Sequence, residues 1–204
     1  VDLSEAMAFG IGSGIFFGHL PFIKMVGLPV TTYRSRPGTL FSKVAKRLGG
    51  KFVTKKYYNF PWKTDRTKEG MDDLRALLDS GNIVGLTTNI YWLSYFPDRF
   101  RFQFNGHNII VLREVKDGFR VADPVLDHPV DCLTEDLERA RFARGPLESK
   151  GYMYYAKSVN PKPNFRKACI DAIRDSCNMM LRTPFPFVGL MGMRYLARQI
   201  IKSP

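Results

Sequence analysis

The 204-residue sequence contains few cysteines, and their placement excludes several classes of protein. Cys132, Cys169 and Cys177 are too few for a disulfide framework, and none belongs to a CxxC or His-rich motif. On one helix, Cys169 and Cys177 would have Cα atoms about 12 Å apart, which is too far for a disulfide. The sequence therefore predicts no metal site and a reducing, cytoplasmic setting.

The sequence also lacks an apolar run long enough to cross a membrane. The most apolar stretch, residues 6–30, is interrupted by glycines, Pro21, His19 and Lys24, and acidic residues precede it. This pattern excludes a signal peptide or a membrane helix there, and we expect no membrane partner. The chain starts without methionine inside a predicted helix, so we also expect that Val1 is not the native beginning.

Acidic residues are scarce and unevenly distributed. The chain has 31 Lys and Arg against 19 Asp and Glu, a net charge of +12. Residues 34–68 hold eleven basic and one acidic residue, whereas residues 69–141 hold eight and thirteen. Such a field favours an anionic partner, although the same charges could simply solvate helix faces. No nucleic-acid-binding motif accompanies them, so we expect no nucleic-acid partner.

The hydrophobic pattern predicts an α+β fold. Helices are predicted from Asp2 or Ser4 to Phe9 and over about 37–48, 68–79, 134–143, 165–181 and 188–201. The predicted N-caps are Asp2 or Ser4 for the first helix and Thr134 for the fourth. Strands are predicted at 15–17, 51–58, 83–88 and 152–156, with a hairpin inside 107–123. The Pro-rich segment 160–163 predicts a boundary between a core of 1–159 and the start of a helical subdomain, 160–204.

The predicted hairpin carries the best candidate for a catalytic pair. His107 precedes one strand and Asp123 ends the other, and an imidazole acts as an oriented base when a carboxylate binds its second nitrogen. A two-residue turn would leave the two side chains on opposite faces, whereas a bulge or a three-residue turn would bring them together. From the residues alone, a structural histidine and a turn-forming Asp before Pro124 remain an open alternative.

The motifs around these residues resemble known enzymes. The Gly106-His107 strand and the later Ala122-Asp123-Pro124 resemble papain-like cysteine enzymes, notably the bacteriocin-leader peptidases. Nearly the whole chain resembles the butirosin biosynthesis protein H family. The resemblance is carried by residues 3–14, Tyr91-Trp92-Leu93-Ser94-Tyr95, Gly106-His107, Ala122-Asp123-Pro124 and residues 189–194.

This resemblance implies a papain-like core with an antiparallel sheet flanked by helices, and a helical C-terminal appendage. It implies an acyltransferase that moves an acyl group from an acyl carrier protein thioester to an amine acceptor such as an aminoglycoside. His107 would be the general base and Asp123 the residue that orients it. The family's cysteine lies in a His-Cys motif ahead of Leu3-Ser4-Glu5-Ala6-Met7, and its members continue past the Gly-rich late helix. The resemblance therefore implies a chain that is cut at both ends and inactive alone.

Other predicted site residues follow from the same hypothesis. No cofactor is expected beyond the carrier's phosphopantetheine arm. An acidic carrier would dock on the outer face of the second helix, and substrate would meet polar and aromatic residues near His107. The docking candidates are Lys43, Lys46 and Arg47, and the substrate candidates are Asn89, Tyr91 and Tyr95, which are alternatively core residues.

Two other functions remain open from the sequence. The same site could hydrolyse peptides or amides, or the chain could be a binding module without chemistry. The cysteines do not replace the missing nucleophile, because Cys132 lies in an acidic setting that raises a thiol pKa, while Cys169 and Cys177 are expected to be core residues of an amphipathic helix.

Overall fold

A computed structural model describes residues 3–25, 27–35, 37–57, 66–145 and 148–202. Within these ranges the helices are α1 (Glu5–Ile11), α2 (Pro37–Leu48), α3 (Thr67–Asp79), α4 (Thr134–Phe142), α5 (Phe165–Leu181) and α6 (Gly189–Lys202). The strands are β1 (Ile15–Met25), β2 (Leu28–Arg34), β3 (Lys51–Lys55), β4 (Val84–Thr88), β5 (His107–Val115), β6 (Gly118–Ala122), β7 (Val130–Leu133) and β8 (Met153–Ser158). The predicted α+β class with antiparallel sheets is confirmed.

The chain forms two compact units. The first contains residues 1–51 and 158–204, and the second contains residues 52–157. These units are defined by spatial contacts, and the predicted functional division into 1–159 and 160–204 stays a prediction. Among the described residues, no helix is both long enough and apolar enough to span a bilayer.

In the unit of residues 1–51 and 158–204, helices α1, α2, α5 and α6 pack with the β1–β2 hairpin. Ser4, one of the two predicted caps, occupies the N-cap of α1, and its Oγ accepts a hydrogen bond from the backbone N–H of Met7. The glycines that follow permit close packing. A Cβ on Gly12 would meet Leu40 at 2.5 Å, and one on Gly14 would meet Phe9 at 2.4 Å.

The unit of residues 52–157 is built on a six-stranded sheet with the order β3-β8-β4-β5-β6-β7. The pairs from β8 to β7 are antiparallel. Strand β4 runs beside β5, so its last residue, Thr88, is opposite His107. His107 therefore lies at the end of a central strand, with a neighbour on either side.

Helices α3 and α4 pack against this sheet and bury its apolar residues. The buried cluster includes Met71, Leu74, Val84, Leu86, Ile109, Val111, Phe119, Val121, Leu137 and Ala140. Each fully buried Val, Leu, Ile, Phe or Met side chain contributes about 1.5–3 kcal/mol. The cluster thus fixes β5 and β6, which carry the candidate site. One detail of the prediction is wrong: Leu133, not Thr134, occupies the N-cap of α4.

Strands β5 and β6 form the predicted hairpin. Lys116-Asp117 is a two-residue turn, and the first pairs after it are in regular register. The register then shifts by one residue between Val111 and Arg113, which makes Leu112 the extra residue of a β-bulge. The bulge is one of the two solutions that the sequence left open.

The bulge decides which face Asp123 occupies. Beyond it Ile110 pairs with Ala122, so the residue after Ala122 comes into register with Ile109. Side chains two residues apart on a strand share a face, and Asp123 therefore shares a face with Ile109 and His107. A regular hairpin with the same turn would have placed Asp123 opposite Ile110, on the other face.

Candidate active site

His107 and Asp123 meet at the end of the β5–β6 hairpin. Nε2 of His107 lies 2.6 Å from Oδ2 of Asp123. The Asp123 side chain is fully buried, while 11% of the His107 side chain is exposed. The structure thus brings together the two residues that the motifs singled out, with the imidazole slightly exposed and the carboxylate fully buried. Their catalytic roles stay predictions.

Two further donors hold the carboxylate. The Tyr95 hydroxyl donates to Oδ2 of Asp123 at 2.7 Å, and the backbone N–H of Val125 donates to Oδ1 at 2.9 Å. The second bond closes an Asx turn, a local structure that an Asp followed by Pro favours and that the Asp123-Pro124 pair could have predicted. With His107, three donors fix both carboxylate oxygens.

These hydrogen bonds determine the charge of Asp123. Burial alone would disfavour its ionised form, but the bonds from His107, Val125 and Tyr95 outweigh burial and hold the pKa of Asp123 below its ordinary value. A carboxylate only accepts hydrogen bonds, so Nε2 of His107 carries a proton toward it. Burial and the nearby carboxylate raise the pKa of Tyr95, so its hydroxyl also keeps its proton and donates.

Further contacts hold the ring and the backbone of His107. The Phe96 ring meets it edge-on, with centroids 5.9 Å apart, and Thr88 Oγ1 donates to the His107 carbonyl at 3.2 Å. Among the described residues no hydrogen bond engages Nδ1 of His107. With Nε2 bound to Asp123, Nδ1 is the nitrogen that can accept a proton from a nucleophile.

Asn89 lies in the loop after β4 and is fully buried. Its Nδ2 donates to Asn105 Oδ1 at 2.8 Å and to Gln103 Oε1 at 3.0 Å, and its Oδ1 accepts from the Tyr91 N–H at 2.9 Å. The amide therefore ties down the segment that leads into His107. The geometry gives Asn89 a positioning role, which no motif signalled, and its predicted contact with substrate stays a prediction.

The two tyrosines predicted to line the substrate cleft differ in their surroundings. Tyr91 is 42% exposed, and its ring meets Trp92 edge-on at 5.1 Å. It keeps a free surface for a ligand, and that role stays a prediction. Tyr95 is half-buried, and its hydroxyl is directed to Asp123 rather than to solvent.

The predicted docking residues do not all lie on an outer face. Lys43 Nζ and Arg47 Nη2 both bind Asp175 Oδ2, at 2.5 Å and 2.8 Å, and Arg47 also donates to Ser13 Oγ. Only 13% of the Arg47 side chain is exposed. The expectation that all three face outward is wrong for Lys43 and Arg47, because both are engaged by α5. Lys46 is exposed, as predicted.

The cysteines of the chain are poor candidates for the nucleophile. Burial and the nearby Asp136 raise the pKa of Cys132 to about 12. Cys169 is partly buried and Cys177 is exposed, so the predicted core position is wrong for Cys177. Within the described ranges, no three His, Cys, Asp or Glu side chains cluster as metal ligands would.

Comparison with protein families gives a match over residues 1–124, to the family described as butirosin biosynthesis protein H, N-terminal. This match covers more than half of the chain and includes both His107 and Asp123. The chain belongs to this family. The resemblance drawn from the motifs is thereby confirmed. Residues 135–204 match a second family, described as a domain of unknown function (DUF4872). A search of curated proteins gives no significant match.

Among solved structures, this member of the butirosin biosynthesis protein H family is similar to a crystal structure described as a C39-like peptidase from Bacillus anthracis. The two are 20% identical, with a TM-score of 0.42, over 65% of this chain and 64% of the neighbour. The chain thus spans less than two thirds of that neighbour's length. No catalytic role is carried over from this likeness.

Proposed function

We propose that the protein carries the His–Asp half of a cysteine acyltransferase, which moves an acyl group from an acyl carrier protein thioester to an amine acceptor. The observation that carries the proposal is the 2.6 Å contact between Nε2 of His107, whose side chain is partly exposed, and the buried carboxylate of Asp123. Family membership supports it, because the resemblance implies an aminoglycoside-like acceptor and a role in bacterial antibiotic biosynthesis.

In the proposed reaction, Nδ1 of His107 takes the proton of a cysteine thiol. The thiolate attacks the thioester carbonyl, the carbon–sulfur bond to the carrier breaks, and the departing phosphopantetheine thiolate takes the proton from the imidazolium. An amine then attacks the acyl-enzyme and gives a proton to Nδ1 of His107, the carbon–sulfur bond to the cysteine breaks, and the imidazolium returns that proton to the cysteine thiolate. The Asp123 carboxylate stabilises the imidazolium in both half-reactions, as the third residue does in Ser and Cys catalytic triads.

The nucleophile in this proposal is the cysteine that the resemblance places ahead of Leu3-Ser4-Glu5-Ala6-Met7. Burial and a raised pKa argue against Cys132 as a substitute. The reaction needs no resident cofactor or metal, since the phosphopantetheine arm belongs to the carrier.

An acidic carrier protein fits the charge distribution. The unit of residues 1–51 and 158–204 has fifteen basic and four acidic residues, whereas the unit of 52–157 has sixteen and fifteen. A strongly basic surface raises the association rate of an acidic partner and makes it sensitive to salt. Because Lys43 and Arg47 bind Asp175, Lys46 is the docking candidate on α2 with an exposed charge.

The function is tested in a full-length protein that includes the family cysteine, with an acyl-loaded carrier and an amine acceptor. His107→Ala should lower the rate of acyl-enzyme formation by about 10²–10⁴-fold, the usual contribution of a general base. Asp123→Asn should cause a comparable loss. The exposed Asp127→Asn, in the same loop, is the control and should leave the rate unchanged.

Product analysis separates transfer from hydrolysis. Formation of the amide, with free acid appearing slowly when the amine is omitted, supports the acyltransferase. Release of free acid at one rate with or without amine would instead indicate a peptidase-like or amide hydrolase. A full-length protein that forms neither product and no acyl-enzyme would contradict both and favour a binding module.

A further inference from the structure

Tyr95 lies close to His107 and is connected to it through Phe96. It lies between two short 3₁₀ turns, Ile90–Trp92 and Asp98–Phe100. Its ring packs against Phe96 with centroids 4.8 Å apart, and Phe96 in turn meets His107. This packing directs the hydroxyl inward, so Tyr95 is set in place by the protein before any substrate arrives.

The Tyr95 hydroxyl and the imidazole share one oxygen atom. Oδ2 of Asp123 accepts from Tyr95 at 2.7 Å and from Nε2 of His107 at 2.6 Å, while Val125 holds the other oxygen. Bonds to a carboxylate in a buried site are strong, and donors that share an oxygen compete for its negative charge. The strength of the His107–Asp123 bond therefore depends on Tyr95.

We infer that Tyr95 is a positioning residue of the proposed acyltransferase site, whose hydroxyl holds the Asp123 carboxylate and limits how strongly that carboxylate attracts the proton on Nε2 of His107. The catalytic meaning of this inference rests on the proposed function, but the hydrogen bond and its electronic effect do not. Tyr95 acts through Asp123 and His107 and does not touch the reacting atoms.

The balance matters because His107 must both take and return a proton. A carboxylate that attracts the imidazolium too strongly favours proton uptake from the thiol but slows its delivery to the leaving group. A carboxylate without its second donor on Oδ2 is also less firmly held. Tyr95 thus affects both the orientation of the Asp123 carboxylate and the basicity of the His107 imidazole.

The test uses the 204-residue chain, with the ¹H and ¹⁵N resonances of the His107 Nε2–H group observed at neutral pH. In Tyr95→Phe the competing donor is gone, so the bond to Asp123 should strengthen and both resonances should move downfield. Tyr91→Phe is the matched control, because its exposed ring has no contact with Asp123, and it should leave both in place. A folded Tyr95→Phe variant with parental resonances would overturn the inference.

A second substitution keeps the inference testable if Tyr95→Phe does not fold. Replacing Tyr95 with 3-fluorotyrosine preserves the shape and makes the hydroxyl a stronger donor, so the Nε2–H resonances should move upfield. No movement, or movement downfield, would contradict the inference. In the full-length enzyme, Tyr95→Phe should lower kcat and leave KM unchanged, whereas a residue that lines the substrate cleft would raise KM.

These readouts are independent of the proposed function. If the full-length protein transfers no acyl group, the proposed function fails while the resonance shifts still report on Tyr95. If acyl transfer is observed and the resonances do not respond, the inference about Tyr95 fails alone.

Discussion

The two units of the chain differ in what they bury and in the charge that they carry. The unit of 52–157 encloses the larger apolar cluster and has nearly balanced charge. The unit of 1–51 and 158–204 is strongly basic and has most of the exposed large apolar side chains found among the described residues. The unit that holds His107 and Asp123 is therefore held by a larger buried core, whereas the other presents a basic surface with many exposed apolar side chains.

The largest expected effect tests whether the two units differ in the stability that their apolar side chains contribute. Phe119 lies fully buried in the core beside β5, so Phe119→Ala should lower the free energy of unfolding by about 3–5 kcal/mol. Phe185, which is 62% exposed in the basic unit, is the matched control, and Phe185→Ala should change stability by less than about 0.5 kcal/mol. Urea denaturation measures both values, and equal losses would remove the contrast.

A smaller effect is expected at the ion-pair cluster of the basic unit. Burial opposes ionisation of Asp175, but hydrogen bonds from Lys43 and Arg47 outweigh it and lower its pKa from 3.8 to about 2. A lowered pKa stabilises the fold above pH 4, and this stabilisation is lost as the pH falls toward 2. Asp175→Asn should cost about 1 kcal/mol at pH 7, since a third of the side chain is exposed and screened.

Denaturation of parent and variant at several pH values checks this second prediction. The difference between them should be constant from pH 7 to 5 and should shrink below pH 4. A difference that does not change between pH 5 and pH 3 would show that the charge of Asp175 is not its cause.

The smallest effect tests the proposed association with an acidic carrier. Lys46→Glu, in the basic unit, should slow loading of the full-length enzyme a few-fold at low salt, and the loss should fade as ionic strength rises. Lys116→Glu makes the same change of charge at an exposed turn of the balanced unit and is the control. Equal slowing by both would mean that total charge, rather than its location, attracts the carrier.

Local patterns predicted most elements of both units. Helix α2 begins at Pro37 and ends before Gly49, and α3 and α5 lie within a residue of their predicted bounds. These features depend on neighbours within a few residues, such as caps, glycines and apolar periodicity. The motif around His107 and Asp123 was equally local and could be read from the sequence.

The contacts that the sequence did not predict join residues far apart in sequence. The prediction that Lys43 and Arg47 face outward on α2 is wrong because both form ion pairs with Asp175, on α5. Tyr95 was predicted only as a residue of the substrate cleft, because nothing near it in sequence indicates that its hydroxyl binds Asp123. Such pairings depend on tertiary packing, which hydrophobic periodicity does not specify.

Because of the bulge at Leu112, His107 and Asp123 share a face only while the number of residues between them keeps the same parity, odd or even. Adding or removing one residue of a strand between the turn and the site moves the side chains beyond that point to the opposite face of the sheet. A single deletion at Leu112 would therefore place His107 and Asp123 on opposite faces. Length changes here would be tolerated only in pairs. A relative with one residue fewer in this strand would need a compensating residue in the turn to keep the same site.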